Sequence, residues 1–251
     1  MANGPADLSG IKALTFDVFG TVVDWRGSII RYGAELESGL SPGSDKSIDW
    51  PMFADAWRAA YGPGMDRVRR GDLPWTNLDD LHRISLERLV PVFGLDRLDQ
   101  DQMARLNCIW HRLEPWPDAV RGVARLSRRY TVATLSNGNV ALLTNMAKKA
   151  GLRWDVVLSA ELFRHYKPDA AIYTGAAELL GLLPGEVMMV AAHADDLEAA
   201  RSAGLRTAYV HRPLEHGPSR STQAPLDACF DLYAFDLGEL ASKLGMPLSS
   251  N

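Results

Sequence analysis

Side chains able to do acid–base or nucleophilic chemistry stand in short polar clusters, each following an apolar run. Asp17 and Thr21 follow Ile11 to Phe16, and Ser136 and Asn137 follow Tyr130 to Leu135. Lys167, within His165-Tyr166-Lys167-Pro168-Asp169, comes after Trp154 to Leu158, and His193, Asp195 and Asp196 come after Val187 to Ala191. A lone aspartate at such a place is more often a turn or cap residue. Two carboxylates, a lysine, a histidine and small polar groups issuing in order from four runs make a stronger signal. A lysine beside a carboxylate keeps it ionised, and an ionised carboxylate serves as nucleophile or base.

The apolar runs are short and uninterrupted, as strands buried on both faces are. Thr207 to Val210 continues the series and Phe230 to Tyr233 is a weaker member. Helical patterns lie between them, near residues 118–129, 140–150, 170–180, 195–203 and 237–244. Alternating strands and helices predict an α/β fold, a Rossmann-like parallel-sheet core. Ligands of such sheets bind beyond the carboxyl ends of the strands, where the polar clusters fall. The first strand is separated from the rest by mostly helical sequence from Trp25 to Leu113. Phe53, Ala56, Trp57, Ala60 and Tyr61 share a helical spacing, as do Leu81, Ile84, Leu86 and Leu89. Pro42-Gly43, Gly62-Pro63-Gly64 and Pro74 punctuate this stretch. The expected organisation is a core of residues 1–24 and 114–251 with an inserted helical cap, 25–113, and a ligand cleft between them.

The 251 residues, 47% apolar and 23% charged, are those of a globular chain long enough for a sizeable core. A net charge of -4 offers no broad basic face for nucleic acid, and the densest basic cluster, Arg67-Val68-Arg69-Arg70, reads as a solvated helix face. No apolar run is long enough for a membrane helix, and the first ten residues do not read as a signal peptide. Cys108 and Cys229 suit two buried or half-buried free thiols in a reducing compartment. The expectation is a cytoplasmic protein with no nucleic-acid or membrane partner.

The motifs Phe16-Asp17-Val18-Phe19-Gly20-Thr21, Leu135-Ser136-Asn137-Gly138 and Tyr166-Lys167-Pro168-Asp169, with the segment from Met188 to Pro213, resemble the haloacid dehalogenase superfamily and, within it, the L-2-haloacid dehalogenases. The resemblance spans nearly the whole chain. It implies a nucleophilic aspartate at Asp17, with Ser136, Lys167 and Asp196 as the remaining motif residues. It also implies a homodimer and a small haloacid as substrate. Trp57-Arg58 stands where similar dehalogenases carry a halide-receiving arginine, and Tyr173 matches a tyrosine of their site.

The superfamily also contains Mg²⁺-dependent phosphatases. These usually place a second aspartate two residues after the nucleophile to move the leaving group's proton. Here that position is Phe19, which moves none. Ala191-Ala192 replaces the Gly-Asp that helps such enzymes hold the metal, and alanine supplies no oxygen ligand. No metal or cofactor is therefore expected, although Asp195 and Asp196 keep a metal-dependent phosphatase open as an alternative. A catalytically idle binding protein on the same scaffold is the other. The last motif departs from the dehalogenase pattern as well: Ala191-Ala192-His193 stands in place of Ser-Ser-Asn, which gives His193 a candidate site role and leaves the substrate range open.

The mechanism implied is displacement of halide from C2 of a short (S)-2-haloalkanoate by Asp17, with inversion. Water then hydrolyses the resulting ester to an (R)-2-hydroxy acid. Ser136, Lys167 and the backbone around Val18 and Phe19 would hold the substrate carboxylate, and Arg58 and Asn137 would receive the halide. Thr21 belongs to the catalytic group. Asp196 and His193 would assist the water. Phe19, Trp57 and Trp75 would keep the pocket dry. Fluoroacetate is included as a candidate substrate.

Overall fold

A computed structural model describes residues 8–38, 47–221, 223–224 and 229–246. Among them the chain runs β1 (Ala13–Phe16), β2 (Val23–Asp24), α1 (Trp25–Ser38), α2 (Trp50–Ala59), α3 (Tyr61–Arg69), α4 (Leu78–Leu89), α5 (Gln100–Asn107), a 3-10 turn (Cys108–Arg112) and β3 (Glu114–Pro115). It continues through α6 (Ala119–Leu126), β4 (Thr131–Ser136), α7 (Val140–Ala150), β5 (Val156–Ser159), α8 (Ala160–Phe163), α9 (Ala170–Leu179), β6 (Val187–Ala191), α10 (Ala194–Ser202), β7 (Arg206–Val210), β8 (Leu232–Ala234) and α11 (Leu237–Lys243).

The main sheet has six parallel strands in the order β5-β4-β1-β6-β7-β8. Each strand expected from the sequence is present, within about two residues at its ends. All of β1 and β6 is buried, which explains runs without alternation. Buried polar side chains in the strands find partners: Thr134 Oγ1 donates to Leu158 O at 2.8 Å and Thr207 Oγ1 to Asp231 Oδ2 at 3.0 Å. Because β1 lies between β4 and β6, the chain turns opposite ways on its two sides. A crevice opens at its carboxyl end, the usual ligand position in such sheets.

The chain leaves the sheet through β2 and returns through β3, which pair antiparallel, Val23 with Pro115 and Asp24 with Glu114. Helices α1 to α5 lie between them. Their packing centres on aromatic side chains: Phe53 and Trp57 of α2 are fully buried, and Trp57 and Trp110 meet edge to face at 5.4 Å. Leu81 and Leu86 of α4 are buried as the helical spacing requires, with Asn77 capping that helix by accepting from Asp80 N–H at 3.0 Å.

Three expectations change. Gly62-Pro63-Gly64 is not a loop but the first turn of α3, where proline's missing N–H costs nothing. Both cysteines are exposed, not buried: Leu106, Ile109 and Trp110 take the inward positions around Cys108, and Cys229 lies in the loop before β8. The Arg67–Arg70 cluster is only partly a solvated face. Arg70 pairs with Asp72 in solvent, whereas Arg69 reaches across to the Lys167 loop. Pro42-Gly43 lies outside the described residues. No helix among the described residues is long and apolar enough to cross a membrane.

Candidate active site

Beyond β1 the backbone stays in register for one more residue, Asp17 N–H donating to Val190 O at 3.0 Å, and then turns sharply. Gly20 makes the turn at φ +85°, a conformation other residues reach only with strain. This aims the Asp17 carboxylate, 6% exposed, into a cleft of about 370 Å³ between the sheet end and the inserted helices. The cleft is also lined by Phe19, Arg58, Tyr61, Arg69, Asn137, Lys167, His193 and Asp196.

Three donors converge on Asp17. Lys167 Nζ lies 3.0 Å from Oδ1, while Thr21 Oγ1 at 2.8 Å and His193 Nδ1 at 3.1 Å address Oδ2. Thr21 is itself fixed by accepting from Ala192 N–H at 2.8 Å, so the first turn and the end of β6 are tied together. Burial pushes the Asp17 carboxyl up, but Lys167, His193 and Thr21 together hold it well below the usual carboxylate range. It is a buried anion at the wall of the cleft.

Asp196, in the first turn of α10, takes Lys167 Nζ at 2.5 Å on one oxygen and Tyr173 Oη at 2.6 Å on the other. Burial, with the Asp17 charge nearby, sets its carboxyl above the ordinary value despite Lys167. Burial alone would lower Lys167; the two carboxylates outweigh it and hold the ammonium charged. The Lys167 backbone is placed from both sides. Its N–H donates to Asn137 Oδ1 at 2.7 Å, and its carbonyl accepts from Arg69 Nη2 at 2.7 Å.

His193 sits at the head of α10. Its Nε2 lies 3.0 Å from both oxygens of Glu215, which in turn accepts from Trp25 Nε1 at 3.0 Å. Burial would lower the imidazole, but hydrogen bonds and charge from Asp17 and Glu215 raise it to about 10. Across the cleft, the Arg58 guanidinium lies over the Tyr61 ring at 4.2 Å and 5.7 Å from the Trp25 ring. Among the described residues its Nη1 is buried without a hydrogen-bond partner. A cation held among aromatic rings, in the same cleft as a carboxylate, is a place for a small anion.

The structure thus brings Asp17, Thr21, Phe19, Arg58, Asn137, Lys167, His193 and Asp196 together. It places others behind the cleft. Ser136 is fully buried, its Oγ accepting from Gly138 N–H at 3.3 Å, and does not line the cleft. Tyr173 meets Asp196 rather than the cleft. Trp57 is a core residue, its Nε1 donating to His82 O at 3.1 Å. Val18 is buried in the turn, and Trp75 stacks on Tyr166 at 4.7 Å.

Reading the sequence missed Glu215, Tyr61, Arg69 and Trp25. Glu215 lies five residues beyond β7, so the rule that found Asp17 and His193 would have found it if applied to a fifth strand. Tyr61 and Arg69 come from α3 and carry no strand-end signal.

A parallel core, a strand-end aspartate held by lysine and a second carboxylate, and a helical insert over the cleft define a hydrolase of one class. Residues 11–204 match the family model described as haloacid dehalogenase-like hydrolase, and the chain belongs to that family. It is 28% identical to (S)-2-haloacid dehalogenase 4A of Burkholderia cepacia, over 87% of this chain and 90% of that protein. The (S)-2-haloacid dehalogenase of Xanthobacter autotrophicus is also 28% identical, over 86% and 83%. Among solved structures, an L-2-haloacid dehalogenase superposes with a TM-score of 0.89 at 48% identity, covering 94% of this chain and 100% of that one. A defluorinating L-2-haloacid dehalogenase does so with a TM-score of 0.88 at 43% identity, covering 94% and 95%.

Proposed function

We propose that this chain hydrolyses the carbon–halogen bond of short (S)-2-haloalkanoates, giving (R)-2-hydroxy acids through an ester on Asp17, with residues 25–113 as a cap closing over the substrate. The observation that carries this reading is the pairing across one cleft of an ionised, buried carboxylate with Arg58 and its unpartnered Nη1. Asp17 attacks C2 from the side opposite the halogen, so C2 inverts. Negative charge then builds on the halogen, where Arg58 and the amide nitrogen of Asn137 receive it. Lys167 holds the nucleophile ionised and offers charge to the substrate carboxylate. Water attacks Cγ of the ester, breaks the acyl bond and leaves C2 untouched.

The leaving group needs no proton, and Phe19 supplies none. Fluoroacetate belongs to the proposed range, supported by 43% identity to a defluorinating relative. A homodimer in the cytoplasm completes the reading, and light scattering on the purified protein tests the oligomeric state.

Oxygen labelling tests the chemistry. With enzyme in large excess over (S)-2-chloropropionate in H₂¹⁸O, the product hydroxyl comes from Asp17 and is almost unlabelled. The peptide containing Asp17 gains about two mass units, one ¹⁸O for ¹⁶O. Labelled lactate with an unlabelled peptide would mean direct attack of water on C2 and would refute the ester.

A further inference from the structure

Opening an Asp17 ester requires a group that takes a proton from water, and Asp196 is poorly placed to do so. One of its oxygens is occupied by Lys167 Nζ and the other by Tyr173 Oη. His193 is differently situated. Its Nδ1 is one hydrogen bond from an oxygen on Asp17 Cγ, the atom water must attack, and its Nε2 rests on both oxygens of Glu215. Glu215 is 4% exposed and anchored by Trp25. It is also built into the nucleophile's own turn: a Cβ on Gly20 would fall 2.1 Å from Glu215 Oε1. The same residue that bends the chain after Asp17 leaves the space in which this carboxylate sits.

Resting on the dehalogenase reading above, we propose that His193, positioned by Glu215, is the base that activates water against the Asp17 ester, and that formation of the ester is what converts it from imidazolium to base. In the free enzyme the ring lies between two carboxylates. Around it stand Lys167 and Arg58 in the substrate cleft, Asp195 and Asp196 on its own helix, and Arg212 and His216 on the side of Glu215. Alkylation of Asp17 removes one of the two anions that hold the ring protonated. The Nδ1 proton departs, and Glu215 keeps the remaining proton on Nε2, leaving Nδ1 as an acceptor beside Cγ.

A second cleft of about 270 Å³ shares His193 and Asp195 with the first and is otherwise lined by residues such as Ala192, Tyr209, Arg212 and His216. It gives His193 a way out for the proton while substrate fills the first cleft.

The protons balance. Halide leaves as the C2–O bond forms, and one proton goes from Nδ1 to solvent. Water then adds to Cγ, giving a proton to Nδ1. Collapse breaks the Cγ–O bond to the product, whose alkoxide takes that proton. The carboxyl proton of Asp17 returns to Nδ1, restoring carboxylate and imidazolium. The net products are halide, hydroxy acid and one proton, and the proton belongs to the first step rather than the second.

The test is a stopped-flow experiment with (S)-2-chloropropionate and a pH indicator at about pH 9, where His193 is still charged in the free enzyme. In the wild-type protein most of one proton per site appears with the halide, before lactate. In Glu215→Gln and His193→Gln, halide release stays within about tenfold of wild type. Ester hydrolysis slows on the order of 10²-fold or more, and the adduct accumulates on the Asp17 peptide. His193→Gln shows no proton burst. Proton release that follows lactate in the wild type, which needs no variant to observe, would overturn the proposal. So would repeated turnover by His193→Gln without adduct. If the wild type releases no halide from any 2-haloacid, it is the dehalogenase reading that fails instead.

Discussion

Lys167 carries more of this molecule than catalysis requires, and replacing it by Met measures how much. Its ammonium stands 3.0 Å from Asp17 and 2.5 Å from Asp196, and all three side chains are under a tenth exposed. At an effective dielectric near 20, each contact is an attraction of about 5–7 kcal/mol before the cost of dehydrating the ions is subtracted. Removing the cation leaves that cost in place for two buried carboxylates, which corresponds to about 3–5 kcal/mol of lost stability. In a chain of this length about 2–4 °C of Tm accompanies each kcal/mol, so Lys167→Met should melt about 6–20 °C below wild type at pH 7. The pH dependence follows from the charges. Without the ammonium, burial and mutual repulsion push both carboxyls up, so folding favours their neutral forms. The deficit is then smallest at low pH and grows as pH rises above the ordinary carboxylate value. Adding Asp196→Asn removes one unpaired charge while its amide oxygen can still accept from Tyr173. The double variant should therefore regain part of the loss, about 1–3 kcal/mol. Scanning calorimetry at pH 5 and 7 on the two single variants and the double variant reads all of this. A Tm for Lys167→Met within about 2 °C of wild type, or a double variant as unstable as the sum of the singles, would show that the ammonium is not what holds the two carboxylates in place.

Arg58→Ala should reduce kcat on the order of 10²-fold with a smaller change in KM, since its free Nη1 matters most as halide charge develops; a near-normal kcat in steady-state halide release would remove it from the site. His193 is raised in the folded state to about 10. Its contribution to stability is thus fully present below its ordinary value near 6.5 and is lost as pH rises from there through about 10. Wild-type Tm should fall across that window and His193→Gln should flatten the fall; parallel curves would contradict the raised value. Only the S enantiomer of 2-chloropropionate should be consumed, with (R)-lactate as product, because the proposed roles of Asp17, Arg58 and Lys167, which line one cleft, fix the attacking oxygen, the halogen and the carboxylate around C2; chiral chromatography showing racemic lactate would exclude backside attack by a fixed nucleophile.

How much of this was legible in the sequence depended on whether a signal was local. The six core strands were, because a strand buried on both faces is written as a short apolar run without alternation, such as Val187–Ala191, repeated between helical patterns. The helical insert was legible as helical and little more. Around the junction of α2 and α3, Trp57 and Tyr61 both pack on His82, contacts the sequence does not show, and the glycines and proline in the α3 first turn resemble a loop until that packing is seen. Asp17, Lys167, His193 and Asp196 could be found because the sheet delivers its strand ends to one edge. Ser136, Tyr173 and Trp57 do not line the cleft, because adjacency in sequence says nothing about which side of a turn a side chain takes.

Glu215 stands beyond a strand end that the sequence shows, but most of its partners are not local. Beside its chain neighbour His216, 4.0 Å away, its partners are distant in sequence: Trp25, 190 residues away, His193, and the space left by the missing side chain of Gly20. At Gly20 the sequence shows a turn-forming glycine and the fold shows a second requirement. A side chain there would be strained at φ +85° and would also displace the carboxylate that orients His193. One residue thus satisfies the backbone geometry that aims Asp17, the proposed nucleophile, and the space needed by the group proposed to position its regenerating base. The requirement for glycine at position 20 therefore comes from Glu215 as well as from the turn after Asp17, a coupling that motifs along the chain do not express.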